Sequence, residues 1–173
     1  ILPLTIPTYI AAYSYYDILE FFNPLMILIR KYLGFQAMNL TNDILVYICI
    51  ILIFTSVLFP YVYLSTRASF LSQGNKLIEA ANTLGYSPLD AFWKVILPLS
   101  RPAIIAGLSL VVMETVNDYG AVEYFGIPTF TVGIFRSWLG MNDFDSALKL
   151  SSYLLFFIFI FLFLEKKSRG NAK

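Results

Sequence analysis

The chain has 173 residues, of which 58% are hydrophobic and 13% are charged, and its formal net charge is +1. Its mean hydropathy is +0.72. Soluble domains contain roughly 25% charged residues, about twice the fraction found here, so the composition predicts an integral membrane protein. The chain has no histidine and one cysteine, Cys49, which excludes a disulfide framework and any His-based zinc or general-base site within it. So small a net charge gives no reason to expect a nucleic-acid partner.

Apolar segments predict an all-helical, polytopic membrane bundle, since a span needs about 20 apolar residues. The predicted spans are 1–19, 44–64, 102–118 and 147–164. Pro3 and Pro7 predict that the first is a kinked or incomplete helix. The second is uncharged, and Thr41 or Asn42 is available to cap it. The last ends in a basic tail that is typical of a stop-transfer flank.

The distribution of Lys and Arg predicts the orientation of the chain in the membrane. Segment 65–101 and the tail after residue 164 carry four basic residues each, whereas segment 20–43 carries two and segment 119–143 carries one. An even number of crossings separates the two richer segments, so they share a side. By the positive-inside rule this side is the cytoplasm.

Two short amphipathic helices are predicted within the cytoplasmic segment 65–101. The first begins with Asn75 as N-cap, carries an apolar stripe, and is closed by Gly85 in a left-handed conformation. The second begins with Ser87 as N-cap, has Pro88 at its first position and Asp90 at its third, and is stopped by Pro98. Its apolar stripe comprises Leu89, Phe92, Trp93 and Ile96. The pair is either an ordered loop packed under neighbouring spans or a docking surface.

The spacing of residues in this pair resembles the EAA loop of the membrane subunits of binding-protein-dependent ABC importers. The matching residues are Glu79, Ala80, Ala81, Gly85, Leu97 and Pro98. Val95 stands where that family more often has Ile, which is a conservative departure. The resemblance implies a bundle like that of a type I ABC importer permease, located in a bacterial inner membrane, with a cytoplasmic helix-turn-helix coupling loop.

The resemblance extends over essentially the whole chain and is strongest to the ferric-iron branch of these permeases. The segments that carry it are "ETVNDYG", "YFG" and "TFTVGI", after residue 113. Members of that branch are longer and have two related membrane halves. This chain begins without Met and is not expected to begin with a signal peptide. It is therefore expected to be the later part of the first half of such a protein, unable to transport anything alone.

The resemblance also implies a division of labour among several partners. A periplasmic protein delivers the solute, the two permease halves form the pathway through the bilayer, and a separate ATPase docks on the coupling loop. The sequence contains no G-x-x-x-x-G-K-[ST] phosphate loop. No catalytic residue and no cofactor are therefore expected in this chain, and ATP and Mg²⁺ would bind to the ATPase. The residues expected to contact it are Glu79, Ala80, Ala81 and Gly85.

Polar residues at the end of the third span are candidates for a translocation pathway. Glu114, Asn117 and Asp118 are predicted to share one helix face, and a carboxylate at the bilayer centre is costly unless it faces the bundle or water. The alternative is an interfacial helix end, where Asp118 meets solvent and Glu114 bonds a neighbouring helix. The tyrosines near the span ends suit ferric iron as hard oxygen ligands, but an aromatic belt explains them without a metal.

Two other classes of protein remain open alternatives. A secondary transporter would also have broken helices and buried acids, but it would have no use for an ATPase-docking loop. An intramembrane enzyme would need a nucleophile and a base, and no such pair is recognisable. Within the importer class the cargo is open between ferric iron and thiamine, polyamines, phosphonates or another small solute.

Overall fold

The structure, a computed structural model, describes residues 2–83 and 85–170. No residue of these two stretches lies in a β-strand, and the predicted all-helical class is confirmed. Helices are expected for a chain this apolar, because a helix bonds its own backbone N–H and C=O groups where lipid offers no partner for them.

The amino-terminal region consists of short helices. A 3₁₀ turn, Leu2–Thr5, precedes α1, Thr8–Phe21, and α2, Asn23–Leu33. Helix α1 has 14 residues, fewer than the roughly 20 that a span needs, which agrees with the incomplete helix predicted over 1–19. Gly34 directly follows α2 as its C-cap, with φ +90° and its backbone N–H bonded to the carbonyl of Arg30.

Helix α3, Phe35–Thr83, is a single helix of 49 residues that continues through Pro60. It contains the predicted span 44–64, but the predicted caps of that span are wrong. Thr41 lies inside the helix and donates its hydroxyl to the carbonyl of Ala37 at 2.8 Å. Asn75 is also wrong as a cap, because no break separates the span from the first predicted cytoplasmic helix.

The second predicted cytoplasmic helix and the third span form a bent pair. Helix α4, Pro88–Ala91, passes through a π-helical turn, Phe92–Ile96, into α5, Leu97–Leu99. Helix α6, Arg101–Asn117, follows after Ser100. Pro98 therefore does not stop the helix, contrary to prediction. The π-helical turn ends at Ile96, two residues before Pro98, and the N–H of Leu97 bonds the carbonyl of Phe92. The break falls at Ser100 instead.

Short helices also follow α6. They are α7, Gly120–Tyr124, α8, Phe130–Phe135, and a π-helical turn, Arg136–Gly140. The last helix, α9, is Phe144–Gly170 and contains the predicted span 147–164. By length and composition, two helical stretches of the described residues can cross a membrane, Phe35–Ser72 and Phe144–Lys167. A third is possible if Pro88–Leu99 and Arg101–Asn117, bent by 60°, form one span.

The internal contacts of the chain define two compact units. One comprises Ile1–Leu58 and Asn117–Ser151, and the other comprises Phe59–Val116 and Ser152–Lys173. Within the first, α1 packs along α7 through small residues, and Ala12 and Ala121 are fully buried. Within the second, Gly107 of α6 packs against α3, and Pro60 is fully buried.

Candidate functional site

The turn after α3 has the left-handed conformation that was predicted for Gly85 as the residue that closes the preceding helix. Gly85 has φ +78°, and nothing lies within 4 Å of the place where a Cβ would be. The N–H of Tyr86 bonds the carbonyl of Ala81 at 3.1 Å. This is the bond of a Schellman motif that spans six residues. An L side chain would be strained here, so glycine is required by the backbone conformation. Leu84 lies outside the described residues.

The short helix after this turn is capped as predicted. The Ser87 hydroxyl oxygen accepts a bond from the N–H of Asp90 at 3.2 Å, and the hydroxyl donates to the Asp90 carboxylate at 2.7 Å. Lys94 pairs with the same carboxylate at 2.7 Å, and its Nζ lies 5.7 Å from the centre of the Tyr86 ring. All these groups are exposed, so they set the local geometry of the element and contribute little stability.

The EAA residues occupy the last turn of α3. Glu79 is exposed, whereas Ala81 is 1% exposed. Ala80 lies within α3, and its side chain is outside the described residues. Leu97 and Pro98 lie in α5, both half-buried. The structure thus places the residues of the EAA pattern in the last turn of α3, at the left-handed Gly85 and in α5.

The predicted apolar stripe of this element is divided between two environments. Ile96 is 9% exposed, and Ala91, which was not predicted, is 2% exposed. Leu89 and Trp93 are 73% and 63% exposed, and they lie four residues apart on one side of the helix. One side of the element is therefore buried, and Leu89 and Trp93 are the most exposed of the four predicted stripe residues, with Phe92 at 36%.

The three predicted pathway residues do not form one group. Glu114 and Asn117 are exposed on α6. The Tyr61 hydroxyl donates to Glu114 at 3.4 Å, so this carboxylate bonds a neighbouring helix. Helix α6 ends at Asn117, and Asp118 follows it. The expected shared helix face therefore holds for Glu114 and Asn117 only.

The Asp118 carboxylate is engaged by backbone and hydroxyl donors. One oxygen accepts bonds from the N–H groups of Ala121 at 2.9 Å and Val122 at 3.3 Å. The other accepts a bond from the Thr8 hydroxyl, which lies at the start of α1. Asp118 thereby caps the first turn of α7 and joins it to α1.

Two threonines complete this arrangement. The buried Thr131 hydroxyl donates to the backbone carbonyl of Asp118 at 2.7 Å and lies 2.9 Å from the Thr129 hydroxyl. Thr129 also accepts the N–H of Val132 and so caps α8. Sequence analysis missed the threonines. The cap at Thr129 was detectable, since Thr directly precedes an apolar helix, but Thr8 lies 110 residues from Asp118.

Aromatic residues of α1 and α7 form a cluster. The ring centres of Tyr13 and Tyr16 lie 5.9 Å and 5.1 Å from that of Tyr124. Desolvation, followed by the charges of neighbouring tyrosines and carboxyls, raises the pKa of Tyr124. Within the described stretches, no group of three or more His, Cys, Asp or Glu lies close enough to hold a metal ion.

The described stretches are all-helical and include two apolar helices that can cross a bilayer by length and composition, which is typical of an integral membrane protein. Residues 1–165 match the family described as "Binding-protein-dependent transport system inner membrane component", and the chain belongs to this family. The family predicted from the EAA pattern is therefore confirmed.

Relatives in this family differ in the solute that their names give. The chain is 33% identical over 139 residues to the Fe(3+)-transport system permease protein FbpB 2 of Haemophilus influenzae, covering 80% of this chain and 27% of that protein. It is 29% identical over 135 residues to the spermidine/putrescine transport system permease protein PotB of the same species, covering 73% and 46%. It is 33% identical over 116 residues to the molybdenum transport system permease protein ModB of Azotobacter vinelandii, covering 64% and 51%. The chain thus spans about a quarter to a half of the length of these curated relatives. No solved structure matches the chain.

Proposed function

We propose that this chain is part of the membrane-spanning subunit of an ATP-driven importer in a bacterial inner membrane, and that the element from Glu79 to Pro98 receives the ATPase. The observation that carries this proposal is the left-handed turn at Gly85, between the EAA residues at the end of α3 and a capped helix. The family supports the general role. The complete activity needs the rest of the permease, a separate ATPase and a periplasmic solute-binding protein.

The geometry of the element suits a docking role. Leu89 and Trp93 are large, apolar and uncovered, and side chains of this kind supply most of the binding energy where they fill a partner's pocket. Glu79, near the end of α3, is also exposed. The bare backbone of Gly85 allows a partner to approach closely.

Transmission of ATPase motion would follow α3. This helix runs without a break from Phe35 to Thr83, so the EAA turn is the end of the same helix that contains the predicted span 44–64. The orientation that this requires, with segment 65–101 and the basic tail in the cytoplasm, is the one favoured by the Lys and Arg distribution.

Replacement of Gly85 tests the docking element. Gly85→Val in the full-length permease forces a β-branched residue into a left-handed conformation, and we expect ATP hydrolysis to continue while uptake falls at least tenfold. Gly34→Val is the matched control, because Gly34 also has positive φ and open space around it but lies outside the element. Uptake and coupling unchanged by Gly85→Val would refute the assignment.

Ferric iron is the first candidate for the cargo, on the strength of the sequence segments after residue 113 and of the relative that is named for iron transport. The names of other relatives favour a polyamine or molybdate equally well on similarity alone. The full-length permease, its ATPase and its binding protein, reconstituted in vesicles, should accumulate one of these labelled solutes in an ATP-dependent manner. Uptake without ATP would favour a secondary transporter.

Variants of Glu114 and Asp118 distinguish a role in the solute pathway from a purely structural role. If Glu114 attracts a cationic solute, Glu114→Gln should lower uptake of iron or putrescine and leave the thermal unfolding midpoint unchanged. Asp118→Asn is expected to affect folding as well, because its carboxylate caps α7. Normal uptake in the variant that carries both changes would exclude both residues from the pathway.

A further inference from the structure

The apolar side of α2 is wider than the protein contact that covers it. Met26 is 8% exposed, and Ile29, three residues further on, is half-buried. Beside them lies a second apolar strip with the spacing i, i+3 and i+7, which places its members on one line along the helix. This strip comprises Leu25, Leu28 and Tyr32, which are 47%, 51% and 76% exposed. The strip is uncovered along the whole length of the helix.

The other side of α2 is polar and basic. Asn23, Arg30 and Lys31 are exposed, and the helix contains no Asp or Glu. The Arg30 Cζ lies 5.7 Å from the centre of the Phe35 ring, and the Lys31 Nζ lies 5.7 Å from the centre of the Tyr32 ring. Ile27 is the one large apolar residue on this side. Two neighbouring cations without an acidic partner on their own helix are suited to an external anion.

The position of α2 in the chain brings it next to a membrane-crossing helix. Gly34 alone separates α2 from Phe35–Ser72, one of the stretches that can span a bilayer by length and composition. With 11 residues, α2 is about 16 Å long and too short to cross. A short helix with an apolar strip and a basic side, attached to a span, is typical of helices that lie in the plane of the membrane interface.

We infer that α2 lies in the bilayer interface, with its exposed apolar strip at the acyl boundary and with Arg30 and Lys31 bound to the phosphates of anionic phospholipid headgroups. Charge complementarity selects this occupant, since two neighbouring basic side chains attract an anionic headgroup and a guanidinium binds phosphate through two parallel bonds. Tyrosine, such as Tyr32 at the end of the strip, is enriched at the same depth. The inference does not depend on the solute or on the coupling element.

Collision accessibility of spin labels tests the placement of the helix. The full-length permease, with Cys49 and any other cysteines replaced, would carry a nitroxide at position 28 or at position 23 and would be reconstituted in bilayers. We expect oxygen, which concentrates among acyl chains, to reach the Leu28→Cys label, and a water-soluble nickel chelate to reach the Asn23→Cys label. A label at position 28 that is shielded from both reagents would mean that protein covers the strip and would overturn the inference. A label there that the chelate reaches as readily as at position 23 would overturn it as well.

Retention of lipid tests the role of the two basic residues. In bilayers of phosphatidylcholine mixed with phosphatidylglycerol, native mass spectrometry counts the lipids that remain on the permease. We expect Arg30→Gln/Lys31→Gln to weaken retention of phosphatidylglycerol on the order of tenfold and to leave phosphatidylcholine unaffected. Arg136→Gln/Lys149→Gln is the control, because it removes the same charge from two exposed residues elsewhere. Equal retention in both double variants, or an equal loss in both, would contradict the inference.

Discussion

Helices α3 and α6 pack closely at a glycine, Gly107. The segment after α6 is instead held by hydrogen bonds of polar side chains. A Cβ on Gly107 would lie 2.7 Å from the Cα of Val62 and 3.0 Å from the carbonyl oxygen of Tyr61. In the later segment, the Asp118 carboxylate accepts bonds from two N–H groups and a hydroxyl. The two regions are thus held by close approach and by hydrogen bonds, respectively.

The difference follows from what each backbone needs. Long helices satisfy their own N–H and C=O groups, and in a bilayer they associate through van der Waals contact, which small residues at the crossing permit. Short helices and turns leave several N–H groups without a backbone partner at each helix start. Asp118, Thr129 and Asp143 supply acceptors at such starts. Irregular backbone in a membrane protein therefore requires side-chain partners that a straight span does not.

Breaking the close approach should have the largest effect. Gly107→Ala places a methyl group against the backbone of α3, so the helices must separate, at a cost of about 3 kcal/mol, the upper end of the usual range for overpacking; Gly107→Leu should prevent folding. Gly140→Ala is the control, because its Cβ would meet only Arg136 Cγ at 3.8 Å. Thermal unfolding of the full-length permease measures both. Equal midpoints for the two alanine variants would show that α3 and α6 do not pack as described.

Removing the central acceptor of the polar region should have the next largest effect. Asp118→Ala leaves the N–H groups of Ala121 and Val122 without their acceptor and releases Thr8, and we expect a loss of about 2–3 kcal/mol. Asp118→Asn keeps one carbonyl oxygen and should lose less than half of that. Glu123→Ala, which removes an exposed carboxylate from the same helix, is the control. Amide exchange in both α1 and α7 should accelerate in the Asp118→Ala variant alone.

The helices were largely predictable from the sequence, and their boundaries were not. Apolar runs predicted the spans 44–64 and 147–164, because a bilayer requires about 20 such residues. The start of a cytoplasmic helix at Asn75 was not correct, since a capping residue type is also tolerated inside a helix and no proline interrupts 61–83. The break at Ser100 instead of Pro98 depends on a π-helical turn, which local residue preferences do not specify.

Within the candidate sites, features set by neighbouring residues were predictable, and contacts between residues distant in the sequence were not. Gly85 and Ser87 act within a few residues of their own position, so the sequence predicted both the left-handed turn and the cap. Side chains that bond Asp118 lie on α1 and α8. A single sequence gives no signal that Thr8 contacts an acceptor 110 residues further along the chain. The close contact at Gly107 is likewise a property of two helices together.

A third change sharpens the comparison, because Asp143 performs the same capping chemistry as Asp118 but acts only locally. Its carboxylate accepts the N–H of Ser146 at 3.0 Å and the Ser146 hydroxyl at 2.5 Å. The hydroxyl, followed by the N–H, holds the pKa of Asp143 below its ordinary value. Its contribution to stability is therefore present above the ordinary carboxyl pKa and is lost as the pH falls through the lowered pKa.

Exchange of the Ser146 amide against pH measures this contribution. Protection of that amide should fall at acid pH in the parent protein, whereas Asp143→Asn should show weaker protection throughout and lack the acid step. Asp145→Asn removes a charge from the same turn without removing the acceptor of Ser146, and it should retain the step. The donors to the Asp143 carboxylate belong to Ser146 and Asp145, both in the first turn of α9, so the effect should stay within that turn. An effect of Asp143→Asn on α1 or α7 equal to that of Asp118→Ala would mean that the polar region responds as a single cooperative unit.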